Sequence, residues 1–202
     1  MPLLNKKNIT DSLTVGIWHI SESQAELKNN YINKGFDEID IIETRSESRL
    51  KQWLCVRLLL NEFYPTTTIT YNEFGKPMLS NGVGISISHA GEYAVIALNT
   101  NKKCGIDIEQ ISSKVERIKH KFLCIDELEK VTSLEELTLF WCAKEALYKL
   151  YGEKELIFNE QLFVDFKSKP NTLFGRIKIG NNEDKHELVA EKIGDYLLVY
   201  TI

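Results

Sequence analysis

Apolar residues recur along this chain with two different periods, and the changes from one to the other lay out its elements. Residues 13–20, LTVGIWHI, are dense in β-branched and aromatic side chains and predict a strand that opens a sheet. The polar run at 21–33 predicts a helix with Ser23 as its cap. From 46 to 64 the positions Leu50, Trp53, Leu54, Leu58 and Tyr64 fall at helical spacing, and Pro65 marks the stop. A Thr-rich strand at 66–71 leads into the turn Asn72-Glu73-Phe74-Gly75-Lys76-Pro77. Ile85, Ile87 and the run 93–98 then predict a hairpin whose polar tip is Ser88-His89-Ala90-Gly91-Glu92.

The second half repeats the scheme. In Cys104-Gly105-Ile106-Asp107-Ile108-Glu109 the period is two, which sends Ile106 and Ile108 to one face of a strand and Asp107 with Glu109 to the other. A Leu-Glu-rich segment, 126–136, leads to a helix over 140–152, FWCAKEALYKLYG, ended by Gly152. The runs 162–166, 174–179, 186–190 and 196–202 alternate like antiparallel strands. When Trp53 is set against Trp141, Arg57 falls opposite Glu145, so the two long helices are faintly alike. The pattern predicts an α+β chain made of a pseudo-twofold pair of lobes, 1–100 and 101–202, each a small antiparallel sheet on a long helix, with functional groups in the cleft between them.

Composition narrows the function classes. A formal net charge of −4 argues against broad nucleic-acid binding, which needs a basic surface. The opening MPLLNKKNIT has no signal-peptide core, and the longest apolar runs fall well short of a membrane span, so a cytoplasmic protein is expected. Cys55, Cys104, Cys124 and Cys142 are too scattered for a zinc motif and read as reduced thiols, with Cys55 and Cys142 inside apolar helix patterns.

Candidate chemistry lies at a few places, each with two readings. Glu145 and Lys149, about 40° apart around a helix, make either an ordinary salt bridge or a phosphate-and-metal arrangement. Asp107 and Glu109, side by side on a strand, are either a solvated face or oxygen ligands for Mg²⁺. Lys76 in its turn is either solvated or aimed at a phosphate. Ser88 and His89 could both donate to an anion, and without a third triad member they do not describe a hydrolase. Lys114, Arg117, Lys119 and Lys121 form a basic run that is either a solvated face or a lure for an acidic partner.

Taken in order, Gly75-Lys76-Pro77, Ser88-His89, Gly105-Ile106-Asp107-Ile108-Glu109 and Trp141-x-x-Lys144-Glu145-Ala146-x-x-Lys149 resemble the 4′-phosphopantetheinyl transferase superfamily, in its larger, single-chain branch. Arg49-x-x-x-Trp53-Leu54-x-x-Arg57 agrees more weakly, and Lys28 and Lys34 match no early coenzyme A motif. The resemblance implies transfer of the 4′-phosphopantetheine arm of coenzyme A to a serine of an acyl- or peptidyl-carrier protein, by a monomer. It implies Mg²⁺ or Mn²⁺ on Asp107, Glu109 and Glu145, pyrophosphate on Lys149, and Glu145 as the base, directly or through water. Lys76, Ser88 and His89, with Arg49, would meet the nucleotide end of coenzyme A. The carrier would dock near Arg117, Lys119, Lys121 and Phe122, and Lys144 is a structural or rim lysine. A silent protein that binds coenzyme A or a carrier on the same fold, and a metal-dependent phosphohydrolase, are the competing readings.

Overall fold

The computed structural model describes residues 3–153 and 155–202. Its first half runs β1 (Leu3–Asn8), β2 (Leu13–His19), α1 (Gln24–Asn33), α2 (Glu47–Asn61), β3 (Ile69–Tyr71), β4 (Pro77–Leu79), β5 (Gly84–Ala90) and β6 (Tyr93–Asn99). The second half runs β7 (Ile106–Gln110), α3 (Lys119–Phe122), α4 (Ile125–Lys130), α5 (Leu134–Tyr151), α6 (Phe158–Gln161), β8 (Leu162–Phe166), β9 (Thr172–Ile179), β10 (Asn182–Ile193) and β11 (Tyr196–Thr201).

Local chemistry sets the helix ends. Ser23 and Glu26 close a reciprocal capping box at the start of α1: the Glu26 N–H donates to Ser23 Oγ at 3.3 Å, and the Ser23 N–H to Glu26 Oε2 at 2.8 Å. Ser46 caps α2 and Ser133 caps α5 through the N–H of the residue three places on. Gly152 ends α5 at φ 75°, the left-handed conformation that glycine adopts without steric cost. α2 stops at Asn61, short of the predicted Tyr64. β1 was not foreseen; its Asn and Lys residues hide the alternation of an edge strand.

Two antiparallel sheets dominate, ordered β1-β2-β6-β5 and β7-β11-β10-β9-β8, with β3 and β4 as a separate small hairpin. In each, a strand leads through a long helix to a returning hairpin whose last strand lies beside the first: β2-β6-β5 in one, β7-β11-β10 in the other. α1 and α2 cover the outer face of the first sheet through Leu27, Leu54, Leu58 and Ile96. α5 covers the outer face of the second through Phe140, Ala143, Leu147 and Val199. Between the sheets lies a third core of Leu13, Val15, Ile17, Ile106, Ile108 and Leu198. Burying such apolar faces on both sides of each sheet supplies the main driving force for the layered arrangement.

The β5–β6 hairpin departs from the sequence reading. Its strands run to Ala90 and from Tyr93, so the tip is Gly91-Glu92 alone, with Gly91 at φ 52°. Ser88 and His89 are therefore strand residues, and in β5 they take opposite faces: Ser88 is buried, His89 exposed.

Candidate functional site

The site begins with a close approach of backbones. Gly105, just before β7, lies against α5 so tightly that a Cβ there would come 2.0 Å from the Ala146 carbonyl oxygen. The absent side chain of Gly105 and the small one of Ala146 let the strand sit almost on the helix. Ile106 and Ile108 point into the core between the sheets, so Asp107 and Glu109 point the other way, to the side of α5 that carries Trp141, Glu145 and Lys149. The alternation legible in the sequence is what aims the two carboxylates. Asp107 is only 3% exposed, which removes the reading of a solvated strand face.

The side chains meet in a cavity of about 540 Å³. Asp107, Glu109, Glu145, Lys149, Lys76, Ser88 and His89 all line it. Lys149 Nζ donates to Asp107 Oδ1 at 2.7 Å, and Ser88 Oγ donates to the same oxygen at 2.7 Å. Asp107 Oδ2 is buried with no hydrogen-bond partner among the described residues. Trp141 Nε1 donates to Glu109 Oε1 at 2.8 Å. Burial, and then the charge of Asp107, push the Glu145 carboxyl up to about 7, and the same two causes raise Glu109.

Three carboxylates line this cavity, and of its two lysines Lys149 pairs with Asp107 while the Lys76 ammonium is turned to the Leu150 carbonyl, so negative charge is left under-compensated by donors that are all hard oxygens suited to Mg²⁺ or Mn²⁺. The orphaned Asp107 Oδ2 adds a buried acceptor without a donor, a costly arrangement that a cation would relieve. The residues therefore fit a divalent ion. As they stand, no three acidic, His or Cys side chains among the described residues are grouped closely enough to hold a metal ion together; Lys149 is the counter-ion of Asp107.

Other expected site residues divide. Lys76 lines the cavity, but its Nζ donates to the Leu150 carbonyl at 3.0 Å, tying the β3–β4 turn to the C-terminal end of α5, where a cation is favoured by the helix dipole. Burial and the neighbouring Lys103 ammonium lower its pKa. His89 touches solvent at the cavity wall, and its imidazole is held below its ordinary range by burial and by the Lys149 ammonium. Arg49 is exposed on the first turn of α2 and does not line the cavity.

In the basic run, Arg117 and Lys121 are exposed and Lys119 is partly so. Phe122 is 1% exposed, packed edge-on against Trp141 with ring centroids 5.1 Å apart, so it is core and not a surface contact. Lys144 is not at the rim either: fully buried, it donates to the carbonyls of Phe122 and Phe158 at 2.5 and 3.2 Å and to Glu127 Oε2 at 2.6 Å. All three ammonium protons are thus used to strap the segments before and after α5 onto it. Sequence reasoning missed the role of Trp141, which fixes Glu109; its place one turn before Glu145 was the available signal. It also missed the aromatic wall of Tyr71, Phe74 and Tyr148.

Comparison with known proteins points to the same half of the chain. Residues 103–201 match the model of the 4′-phosphopantetheinyl transferase superfamily, a stretch that contains Asp107, Glu109, Glu145 and Lys149. The chain is 29% identical over 116 residues to a protein of Aneurinibacillus migulanus named as a 4′-phosphopantetheinyl transferase, a match covering 53% of this chain and 47% of that protein. It is 31% identical over 96 residues to a Synechocystis protein provisionally given the same name, covering 42% of this chain and 39% of the other. The chain thus spans less than half the length of these two curated relatives. Among the described residues, no helix is long and apolar enough to cross a membrane.

Proposed function

We propose that this chain, which belongs to the 4′-phosphopantetheinyl transferase superfamily through residues 103–201, moves the 4′-phosphopantetheine arm of coenzyme A to a serine hydroxyl of an acyl- or peptidyl-carrier protein, releasing adenosine 3′,5′-bisphosphate. The observation that carries this reading is the convergence of Asp107, Glu109, Glu145 and Lys149 from one strand and one helix in a single cavity, with Asp107 Oδ2 left unpartnered.

Asp107, Glu109 and Glu145 are the residues that would hold Mg²⁺ or Mn²⁺. A divalent ion there supplies charge neutralisation at the reacting phosphate and its departing oxygen. Lys149 binds the pyrophosphate of coenzyme A as a point charge. Lys76 and His89, which line the same cavity, meet its nucleotide end. Glu145, directly or through a water, takes the proton of the attacking serine hydroxyl. Arg117, Lys119 and Lys121, exposed or partly so, offer an acidic carrier a positive edge, and the protein acts as a monomer.

The test is intact-mass analysis of a panel of apo carrier proteins incubated with coenzyme A, Mg²⁺ and the protein. One phosphopantetheine per carrier is expected, lost on adding EDTA. Binding of coenzyme A with no mass shift anywhere in the panel would favour the silent binding protein. Phosphopantetheine released without any carrier would favour the phosphohydrolase.

A further inference from the structure

The two sheets meet edge to edge without a backbone ladder. β5 and β7 are edge strands of their own sheets, and the amides of β7 that face β5 donate to hydroxyl oxygens. The Ile106 N–H donates to Ser86 Oγ at 3.0 Å and the Ile108 N–H to Ser88 Oγ at 3.3 Å. Both serines are buried, 3% and 6% exposed, and they stand where a neighbouring strand would offer carbonyls. They differ in their protons. The Ser88 hydroxyl donates to Asp107 Oδ1, whereas among the described residues the Ser86 hydroxyl donates to no carboxylate.

We propose that Ser88 is a positioning residue for the cation site, fixing Asp107 so that Oδ2 is the oxygen left for the ion. A hydroxyl has one proton and two lone pairs. Here one lone pair takes the Ile108 N–H and the proton goes to Asp107, so Ser88 has nothing to donate to a phosphate. The phosphate contact that the family resemblance implies for Ser88 is replaced by a hold on the carboxylate. Lys149 shares that oxygen but comes from α5 on a long side chain, whereas Ser88 is short, buried and locked by the seam between the sheets. Partners of this kind orient a ligating carboxylate, and their loss costs about 10- to 100-fold in metal affinity.

This inference rests on the cation reading above, and one experiment separates the two. Mn²⁺ is titrated into the full-length protein without coenzyme A, free Mn²⁺ being read from its electron paramagnetic resonance signal. Wild type is expected to bind one ion, and Glu145→Gln to bind it weakly. Ser88→Ala is expected to lose about tenfold in Mn²⁺ affinity, and Ser88→Thr, which keeps the hydroxyl, to recover most of it. Ser86→Ala removes the matching seam contact, so it should lose thermal stability like Ser88→Ala yet bind Mn²⁺ like wild type. If Ser88→Ala does not fold, Ser88→Cys, with a poorer donor of similar shape, should fall between wild type and Glu145→Gln. Wild-type Mn²⁺ affinity in Ser88→Ala, or in Ser88→Cys where the alanine variant does not fold, overturns the inference and leaves the cation reading standing, as does weakened coenzyme A binding in that variant with Mn²⁺ affinity unchanged. Failure of wild type to bind Mn²⁺, or undiminished binding by Glu145→Gln, overturns the cation reading itself.

Discussion

α2 and α5 do the same structural work, each covering one face of one sheet, and each carries a tryptophan followed four residues later by a charged side chain. In α2 that pair closes on itself. The Arg57 guanidinium lies 3.4 Å from the Trp53 ring centroid and donates to the Trp53 carbonyl at 3.3 Å. In α5 the pair opens outward: Trp141 reaches across to Glu109, and Glu145 accepts no hydrogen bond from the described residues while facing the cavity. One scaffold thus gives a satisfied helix in one half and an under-compensated one in the other, and the site lies where compensation is missing.

The sharpest way to break that contrast is Glu145→Gln. Transfer to a carrier should fall by about 10³-fold or more, since the proposed function makes the residue both base and cation ligand, with the circular dichroism spectrum unchanged. Stability should move the other way in metal-free buffer. The folded-state pKa of Glu145 is raised from 4.5 to about 7, so the folded protein holds the proton more tightly and wild-type stability falls as pH rises between those values. Glutamine has no proton to lose. The variant should therefore melt at about the wild-type temperature at low pH and a few degrees above it past neutrality; a constant gap across pH would mean that Glu145 is not the strained group.

The halves also differ in how close helix and strand come. At Gly105 a Cβ would strike the backbone oxygen of Ala146 at 2.0 Å, while at Gly16 in β2 it would meet side chains, Phe63 and Leu59, at 2.9–3.1 Å. Gly105→Ala should cost about 3 kcal/mol or more in urea denaturation, because backbone cannot yield without moving α5 from β7. Gly16→Ala should cost about 1 kcal/mol, because side chains can turn aside. Equal costs would show that α5 can slide, and that Asp107 and Glu145 are less firmly opposed than the packing implies.

Lys149 tests what the C-terminal half lacks. As the counter-ion of Asp107 it competes with a metal, so Lys149→Met should bind Mn²⁺ more tightly than wild type while transferring about 10²-fold more slowly. Without metal it should melt lower, Asp107 being buried and unpaired, and Mn²⁺ should restore the lost stability. Weaker Mn²⁺ binding would instead make Lys149 an organiser of the site rather than the ion's rival.

The elements and the direction in which the acidic side chains point were legible because both are local. Alternation in Ile106-Asp107-Ile108-Glu109 aims two carboxylates at once, and the four-residue step from Glu145 to Lys149 puts both on one side of a helix. What depends on contacts between distant residues was not legible. Ser88 lies 19 residues from Asp107, and nothing near it in sequence says that its proton is already used. Phe122 looked like a docking contact at the end of a basic run and Lys144 was open between a structural and a rim position, yet both are buried and are joined by a contact over 22 residues. Turn boundaries misled as well, since the two-residue Gly91-Glu92 turn draws Ser88 and His89 into the strand.

The smallest effect is expected at Arg57, and it is the one that most directly judges the comparison. Its guanidinium donates to the Trp53 carbonyl within α2 and is held below its ordinary pKa by burial, with Tyr71 of the cavity's aromatic wall as a partner outside the helix, so the charge mainly stabilises the helix and reaches the cavity only through Tyr71. Arg57→Met keeps much of the aliphatic stem against Trp53 and removes the cation. It should cost about 1 kcal/mol, the worth of a partly desolvated cation–π contact, and leave transfer within about threefold of wild type. A hundredfold loss of transfer with normal stability would put Arg57 on the substrate. The N-terminal helix would then share the chemistry, and the asymmetry between the halves would lie in the sign of the charge they present rather than in whether it is already spent.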